Sequence, residues 1–384
     1  MKIAVIGDYI LDRYVYGTVE RISPESPNPI FKQEKIEERD GGAGNVVANL
    51  KAFGNDVVFY RHDAINSIKT RYVVDNHIMF RADDERYQMY GNFNGDLSDI
   101  DFCVLSDYNK GFLHFSQDII NYCHRQNRKV IVDPKKHLKN YRNADYLKLN
   151  QKEFTEYSNG KSYKKVRREY NIGALIVTLG KDGVYVSSEE FDGHIYCDEH
   201  QVSDVTGAGD VFLAALTHFL SNGSSLEAAC FKANRLASLS VTKFGTYVLT
   251  EQDIKQSKVI FTNGCFDILH VGHVDYLEKS KQLGYKLVVG INSDDSVKRL
   301  KGTGRPINNQ EDRKAVLESL GCVDEVIIFD EDTPYELIKK VKPDIITKGS
   351  DYIPKNVVGN DLAQVVIIPL VEGISTTKII ERFS

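Results

Sequence analysis

Short β-branched runs alternate with helical patterns along this chain, and at Lys258 the alternation starts again. The first series is KIAVIG (2–7), DVVFY (56–60), DFCVLS (101–106), KVIVD (129–133), DYLKLN (145–150) and ALIVTLG (174–180). Strands separated by helices predict a mostly parallel sheet covered by those helices, because a parallel neighbour is reached only by a crossover. Two stretches break the pattern. RYVVDNHIMFRA (71–82) predicts an exposed β-hairpin, and GVYVSSEEFDGHIYC (183–197) antiparallel strands at the sheet edge, followed by helices over 208–222 and 225–243. The second series is KVIFTNG, YKLVVGIN (285–292), CVDEVIIF (322–329), PDIITKG (343–349) and QVVIIPL (364–370), with helices near 271–283, 309–320, 333–341 and 375–383. It predicts a smaller doubly wound unit. The fold class is therefore α/β, with one domain over 1–254 and a second over 255–384. The join, TEQDIKQSK (250–258), is polar and short, which predicts a close tether.

The 384 residues fit two domains, and 42% hydrophobic with 27% charged residues allow sizeable cores. A net charge of −5 gives no electrostatic case for nucleic acid, and KSYKKVRREY (161–170) reads as the solvated face of a helix. No run approaches the ~20 apolar residues of a membrane span, and MKIAVIGDYILD is not built like a signal peptide, so the expectation is a cytoplasmic protein with no membrane partner. The six cysteines, Cys103, Cys123, Cys197, Cys230, Cys265 and Cys322, include no CxxC pair and are expected to be reduced thiols.

In DVTGAGDVFLAALTHFL (204–220) a glycine-rich turn runs straight into an apolar helix. A helix N-terminus presents free N–H groups and partial positive charge, so Gly207, Ala208 and Gly209 could wrap a phosphoryl group in transfer. Asp210 then stands where a carboxylate could take a proton from an attacking hydroxyl, or simply cap the helix. The chain also carries GDYILDRY (7–14), GGAGNVVANLKAFG (41–54), N-x-x-E at Asn150 and Glu153, and VTLGKDGVYV (177–186). Together these resemble the ribokinase-like sugar kinases, in their usual order. The resemblance implies that Asp210 is the base, Gly207 to Gly209 the anion hole, and Thr206 a nucleotide neighbour. It also implies that Asn150 and Glu153 organise Mg2+ and triphosphate, Glu153 through water, while Asp8, Asp12, Arg13, Gly41, Gly42 and Asn45 hold the sugar.

In FTNGCFDILHVGHVDYLEKSKQLG (261–284), His270 and His273 flank a glycine at the start of a helix. Metal binding fits poorly: zinc helices space their histidines at i and i+4, and only Cys265 and Asp267 are local co-ligands. A purely structural pair is a second reading. The third is a phosphate clamp, in which Gly272 admits a triphosphate to the backbone and the imidazoles donate to its oxygens, with Ser375, Thr376 and Thr377 of ISTTKII a second anion cradle. H-x-G-H after TNGCFDILH, with I-S-T-T downstream, resembles the nucleotidylyltransferases related to cytidylyltransferases. That implies a Rossmann-like domain with Thr262, Asn263, Gly264, Phe266 and Gly272 around the nucleotide.

INSDDSVKRLKG, RPINNQEDR, DEDTPYELI, KGSDY and EGISTTKII, with RISPESPNPIF, ERDGGAGNVVANL, VLSDYNKG and VDPK upstream, are similar to the bifunctional heptose 7-phosphate kinase/heptose 1-phosphate adenylyltransferases. The resemblance implies ATP as substrate of both domains, sugar phosphates as the other ligands, and a homodimer formed through the kinase domain. A sugar 1-phosphate is anionic near neutral pH, so its attack on ATP needs no protein base; His270 and His273, with some of Lys298, Lys301, Arg305 and Arg313, would neutralise the phosphates. Another sugar, CTP in place of ATP, or a kinase-like scaffold without activity are the alternatives. Only a few residues stand between DVVFYRHD and IKTRYVV where that family has a further strand and helix, and the segment before KVIFTNG lacks the usual helical lead-in. Lys69, Arg71, Arg81 and Lys110 are candidate partners for the far phosphate of the sugar.

Overall fold

The computed structural model describes residues 1–62, 67–89, 91, 93–196, 204–302 and 304–371. The chain divides into two compact units between Glu251 and Gln252. The first runs β1 (Lys2–Gly7), β2 (Tyr9–Ile22), β3 (Pro29–Gly42), α1 (Ala43–Ala52), β4 (Asp56–Tyr60), β5 (Ser67–Val74), β6 (His77–Asp84), β7 (Phe102–Ser106) and α2 (Ser116–Arg125). It continues through β8 (Lys129–Asp133), β9 (Tyr146–Asn150), α3 (Gln151–Ser158), α4 (Tyr163–Glu169), β10 (Ala174–Thr178), β11 (Val184–Ser187), β12 (Asp192–Ile195), α5 (Ala208–Ser221) and α6 (Leu226–Ser240).

The main sheet has the order β12-β11-β10-β9-β8-β7-β1-β4, parallel except at β11 and β12. Its inner strands are apolar on both faces, as Ile3–Ile6, Val130–Val132 and Leu175–Val177 show, because helices cover both sides. The remaining strands pair as β3-β2-β5-β6 into a separate four-stranded sheet. Along β2 the side chains alternate: Ile10, Asp12 and Tyr14 are buried, Leu11 and Arg13 are not. The expected hairpin is β5–β6, and its turn residues Asp75 and Asn76 both have positive φ, as a type I′ turn requires.

The two long strands β2 and β3 have no counterpart in the series read from the sequence. In β3 the stretch KQEKIEERD holds one apolar residue among charges, so no period-two apolar signal exists, and its pairing partner β2 determines its conformation. The expected lack of helical lead-in before KVIFTNG is overturned: α7 (Glu251–Gln256) is a helix, built from residues of good helix propensity.

The second unit contains β13 (Val259–Gly264), α8 (Val271–Lys281), β14 (Lys286–Asn292), α9 (Asp294–Lys301), α10 (Gln310–Glu318), β15 (Glu325–Phe329), α11 (Tyr335–Val341), β16 (Ile345–Gly349) and β17 (Gln364–Ile368). Its five strands are all parallel, in the order β15-β14-β13-β16-β17, over a core that includes Ile260, Leu277, Leu287, Val289 and Leu317. The order in which strands are added reverses between β13 and β16, which stay parallel, and such a switch point leaves a crevice beyond the strands' carboxyl ends. Those ends carry Asn263–Gly264 and Lys348–Gly349. Among the described residues no helix is long and apolar enough to cross a membrane. The last expected helix, with Ser375, Thr376 and Thr377, lies outside the described residues.

Candidate active sites

In the first unit a cavity of about 330 Å³ opens where the carboxyl ends of β8 and β9 face the start of α5. Gly207 is the N-cap of α5 with φ +77, and a Cβ there would lie 2.8 Å from Asn45 Nδ2. Only glycine satisfies both the left-handed backbone and that approach. The N–H of Ala208 already donates to the Val205 carbonyl, so an anion held by this turn would use its neighbours.

Asp210 lies inside the first turn of α5, and its carboxylate makes contacts other than a cap. It accepts hydrogen bonds from Tyr108 Oη at 2.5 Å and Asn45 Nδ2 at 3.1 Å. Burial pushes its pKa up to about 6, while those two hydrogen bonds hold it down. A buried carboxylate titrating just below neutrality, on a cavity wall, has the properties of a general base. Thr206 donates to Asp204 through both its N–H and its hydroxyl, and so shapes the turn from behind.

Asn150 and Glu153 line the same cavity but satisfy each other first. The Asn150 side chain accepts from the Glu153 N–H, Glu153 accepts from the Asn150 N–H, and Lys135 Nζ sits 2.6 Å from the remaining Glu153 oxygen. This is a capping box that also presents polar groups to the cavity. Glu153 therefore fits a metal only through water, and among the described residues no cluster of His, Cys, Asp or Glu could hold one unaided.

Sequence reasoning missed Tyr108, Asp133, Lys135 and Lys148. Lys148 is buried in β9 and pairs with Asp133 at 2.7 Å; its Nζ lies 3.0 Å from where a Gly209 Cβ would be. Burial alone would lower its pKa, yet Asp133 raises it on balance. A lysine inside the otherwise apolar YLKL of β9 was the available signal.

On the sugar-facing side expected from the sequence, Asp8 accepts three backbone N–H bonds, from Tyr108, Lys110 and Phe112, and thereby shapes the loop that presents Tyr108. Asp12 is buried against Arg71 at 2.5 Å and Thr246 Oγ1 at 2.7 Å, and Gly41 is small because any Cβ would strike the Asp12 carboxylate. Gly42, at φ +57, turns the chain from β3 into α1, where buried Asn45 reaches Asp210. Lys69 lies over the Tyr108 ring at 5.5 Å, and burial lowers its pKa. Four expected residues are directed elsewhere. Arg13, one residue from Asp12, projects from the opposite face of β2 to Glu38; Arg71 is neutralised by Asp12; Arg81 pairs with Asp83; and Lys110 pairs with Glu85.

In the second unit a cavity of about 410 Å³ lies at the β13/β16 switch point. Its wall includes Asn263, Gly264, Phe266, His270, Gly272 and His273, as expected, together with Lys348, Asp351 and Tyr352, which were not singled out. The His270 and His273 rings stack with centroids 3.8 Å apart, and among the described residues neither buried Nδ1 meets a hydrogen-bond partner. Burial lowers the pKa of both; for His273, with His270 and Lys301 adding to it, the value falls to about 4. Among the described residues no cluster of His, Cys, Asp or Glu surrounds the two stacked rings as a metal would require. The rings are neutral groups with unmet hydrogen-bonding capacity, in a cavity at a helix N-terminus.

A Cβ at Gly272 would come within 3.2 Å of His270 Nδ1, so a larger residue there would press on that ring. Thr262 is not on the cavity wall. It is fully buried below it, bonded to Tyr276 Oη at 2.7 Å, in a hydroxyl network with Thr347 and Ser280 that supports α8. Of the four cations expected near the phosphates, Lys301 alone lines the cavity. Lys298 pairs with Asp295, Arg305 pairs with Asp267, and Arg313 is a buried brace bonded to the Cys265 and Asn308 carbonyls and to Asp294.

Comparison with known proteins agrees with both units. Residues 81–253 match the pfkB family carbohydrate kinases, and residues 261–382 the cytidylyltransferase-like proteins. The bifunctional protein HldE of Nitratiruptor sp. is 38% identical, covering 99% of this chain and 98% of that one. The corresponding proteins of Campylobacter concisus and Helicobacter pylori J99 are 37% and 36% identical, over 100% and 99% of this chain and 97% and 98% of theirs. The first alignment runs over 459 positions against 384 residues here, so that relative carries stretches with no counterpart in this chain. Among solved structures, ribokinase of Thermotoga maritima superposes with a TM-score of 0.54 at 19% identity, covering 66% of this chain and 98% of that one. Phosphofructokinase-2 of Escherichia coli gives 0.51 at 17%, over 66% and 96%. At such identity these two structures establish the fold alone. The chain belongs to the bifunctional HldE family, enzymes that join a pfkB-type carbohydrate kinase to a cytidylyltransferase-like nucleotidyltransferase.

Proposed function

We propose that the protein catalyses two steps of ADP-heptose synthesis. The first unit phosphorylates heptose 7-phosphate at its anomeric hydroxyl with ATP, giving the 1,7-bisphosphate. After a separate phosphatase has removed the 7-phosphate, the second unit transfers AMP from ATP to heptose 1-phosphate, releasing pyrophosphate. The observation that carries this reading is Asp210, a buried carboxylate with a pKa of about 6 on the wall of a cavity floored by the glycine turn. The choice of heptose rests on the likeness to the HldE proteins.

In the kinase step the anomeric O–H gives its proton to Asp210 while the oxygen attacks the γ-phosphorus and ADP leaves. Tyr108 and Asn45 orient that carboxylate, and the start of α5 with Lys148 offsets the charge in transfer. Magnesium, when bound with the nucleotide, shares the charge of the triphosphate; Glu153, through water, and Asn150 are the residues that would hold it. In the second step the sugar phosphate is already an anion. An oxygen of that phosphate attacks the α-phosphorus, the bond to pyrophosphate breaks, and the neutral imidazoles of His270 and His273, with the start of α8, donate hydrogen bonds to the oxygens that take up the leaving charge.

Apolar Ile78, Met79 and Phe80, exposed on edge strand β6, support a homodimer formed through the first unit. A cytoplasmic location is part of the same proposal. The shortness of this chain against its relatives favours one other reading, a first unit that binds ligand without turnover. Release of ADP and of pyrophosphate, followed separately over a panel of sugar phosphates and nucleoside triphosphates, tests the proposal. ADP release with heptose 7-phosphate and pyrophosphate release with heptose 1-phosphate are expected; pyrophosphate release alone would leave the scaffold reading.

A further inference from the structure

Lys348 stands at the carboxyl end of β16, across the switch point from Asn263 at the end of β13, and both line the second cavity. Its Nζ donates to the Asn263 carbonyl at 2.9 Å and lies 5.1 Å from the centroid of the Tyr352 ring. Neither contact neutralises it. Among the described residues no carboxylate forms an ion pair with it, although Asp351 shares the cavity. Elsewhere in the molecule the buried cations Arg71, Lys148 and Arg313 each have a carboxylate partner. Lys348 is half-buried at the crevice mouth, and an ammonium partly withdrawn from water with no counter-charge gains most when a ligand supplies one.

We propose that Lys348 is the phosphate-binding cation of the second cavity: its ammonium faces the crevice and takes a phosphate ester or anhydride oxygen as the missing counter-ion. This rests on the nucleotidyltransferase reading of the cavity. The phosphate belongs either to the nucleotide or to the sugar 1-phosphate, and both present the same chemistry. Burial holds the Lys348 pKa down at about 8, with Asp351 and Cys265 raising it only in part. The other titratable groups on the cavity wall include His270 and His273, both shifted toward neutrality, and Lys301. An anion against the ammonium favours its charged form and draws in a proton. The contribution of Lys348 to affinity is therefore full below pH 8 and weakens as pH rises through it.

The test is calorimetry near pH ~8.5, where sugar phosphates and ATP are fully ionised and the ordinary lysine would be fully charged. ATP and heptose 1-phosphate are titrated separately, each in two buffers of different ionisation heat, into the whole wild-type protein and into K348M and K348R. Wild type should take up part of a proton with at least one ligand. K348M should lose that uptake and bind the ligand at least ~10-fold more weakly, while kinase turnover in the first unit and the melting temperature stay unchanged. K348R, which cannot titrate, should bind without uptake. Loss confined to ATP assigns the contact to the nucleotide, and loss confined to heptose 1-phosphate assigns it to the sugar phosphate. Absence of proton uptake in the wild-type protein, or K348M binding both ligands within twofold of it, overturns the proposal. The wild-type measurement needs no variant to fold. A wild type that binds both ligands yet forms no nucleotide sugar would refute the proposed reaction while leaving this result standing.

Discussion

In the first cavity the displaced groups are oxygen acids: the Asp210 carboxyl is pushed up to about 6 and the Tyr108 phenol well above its ordinary value, while the lysines around them are paired, Lys148 with Asp133 and Lys135 with Glu153. In the second cavity the displaced groups are nitrogens: His273 is pulled down to about 4, His270 in the same direction, and Lys348 to about 8. Its carboxylate Asp267 is held ionised by backbone N–H groups and Arg305 against the effect of burial. Burial drives the displacements of Asp210, His270, His273 and Lys348, but it acts on opposite chemistry. One cavity waits for a proton and the other for an anion. That is the difference expected between a neutral hydroxyl nucleophile and a phosphate nucleophile.

The sharpest way to break this comparison is to exchange the proton acceptor for an amide. Asp210→Asn should lower kinase turnover by ~10²–10⁴ while pyrophosphate release continues unchanged; equal loss of both activities would mean that the substitution damages the protein generally. His273→Ala should do the reverse, lowering nucleotidyl transfer by ~10²–10³ and sparing the kinase. Gly207→Ala forces a left-handed alanine against Asn45, and should reduce kinase turnover about tenfold with a stability loss of about 1–2 kcal/mol, measured by denaturant titration.

The pH profiles sharpen the contrast further. Asp210 must be ionised to act, so kinase kcat should fall as pH drops through about 6. The Tyr108 hydrogen bond lowers that pKa, so Tyr108→Phe should move the acid limb to higher pH. An unmoved limb would separate it from Asp210. Smallest of all, Arg13→Ala removes only a solvent-exposed pair with Glu38, and should leave both activities within about twofold and stability within about 1 kcal/mol.

Sequence period revealed the two parallel sheets because their strands are continuously apolar, and glycine motifs revealed the starts of α5 and α8. It did not reveal β3, whose charged residues take their conformation from β2. At the sites, residues next to a helix start were legible: Asp210, His270 and His273 lie where the local pattern placed them. Residues whose role depends on distant chain were not. Arg71 reads as a free cation until Asp12 is seen against it, 59 positions away. Thr262 reads as a ligand contact until Tyr276 and Thr347 enclose it. Lys148 stood out only as a charge inside the apolar YLKL, and Lys348 read as an ordinary lysine near a strand end, because its place on a cavity wall is set by the distant chain that encloses it.

The most direct measurement is phosphorus NMR of the purified wild-type chain with ATP, magnesium and heptose 7-phosphate, and in a second sample heptose 1-phosphate. The first sample should show the 1,7-bisphosphate growing with ADP, and the second ADP-heptose growing with pyrophosphate. A first sample in which neither heptose 7-phosphate nor any other sugar phosphate gives a bisphosphate would contradict the role assigned to Asp210, and with it the contrast between the two cavities.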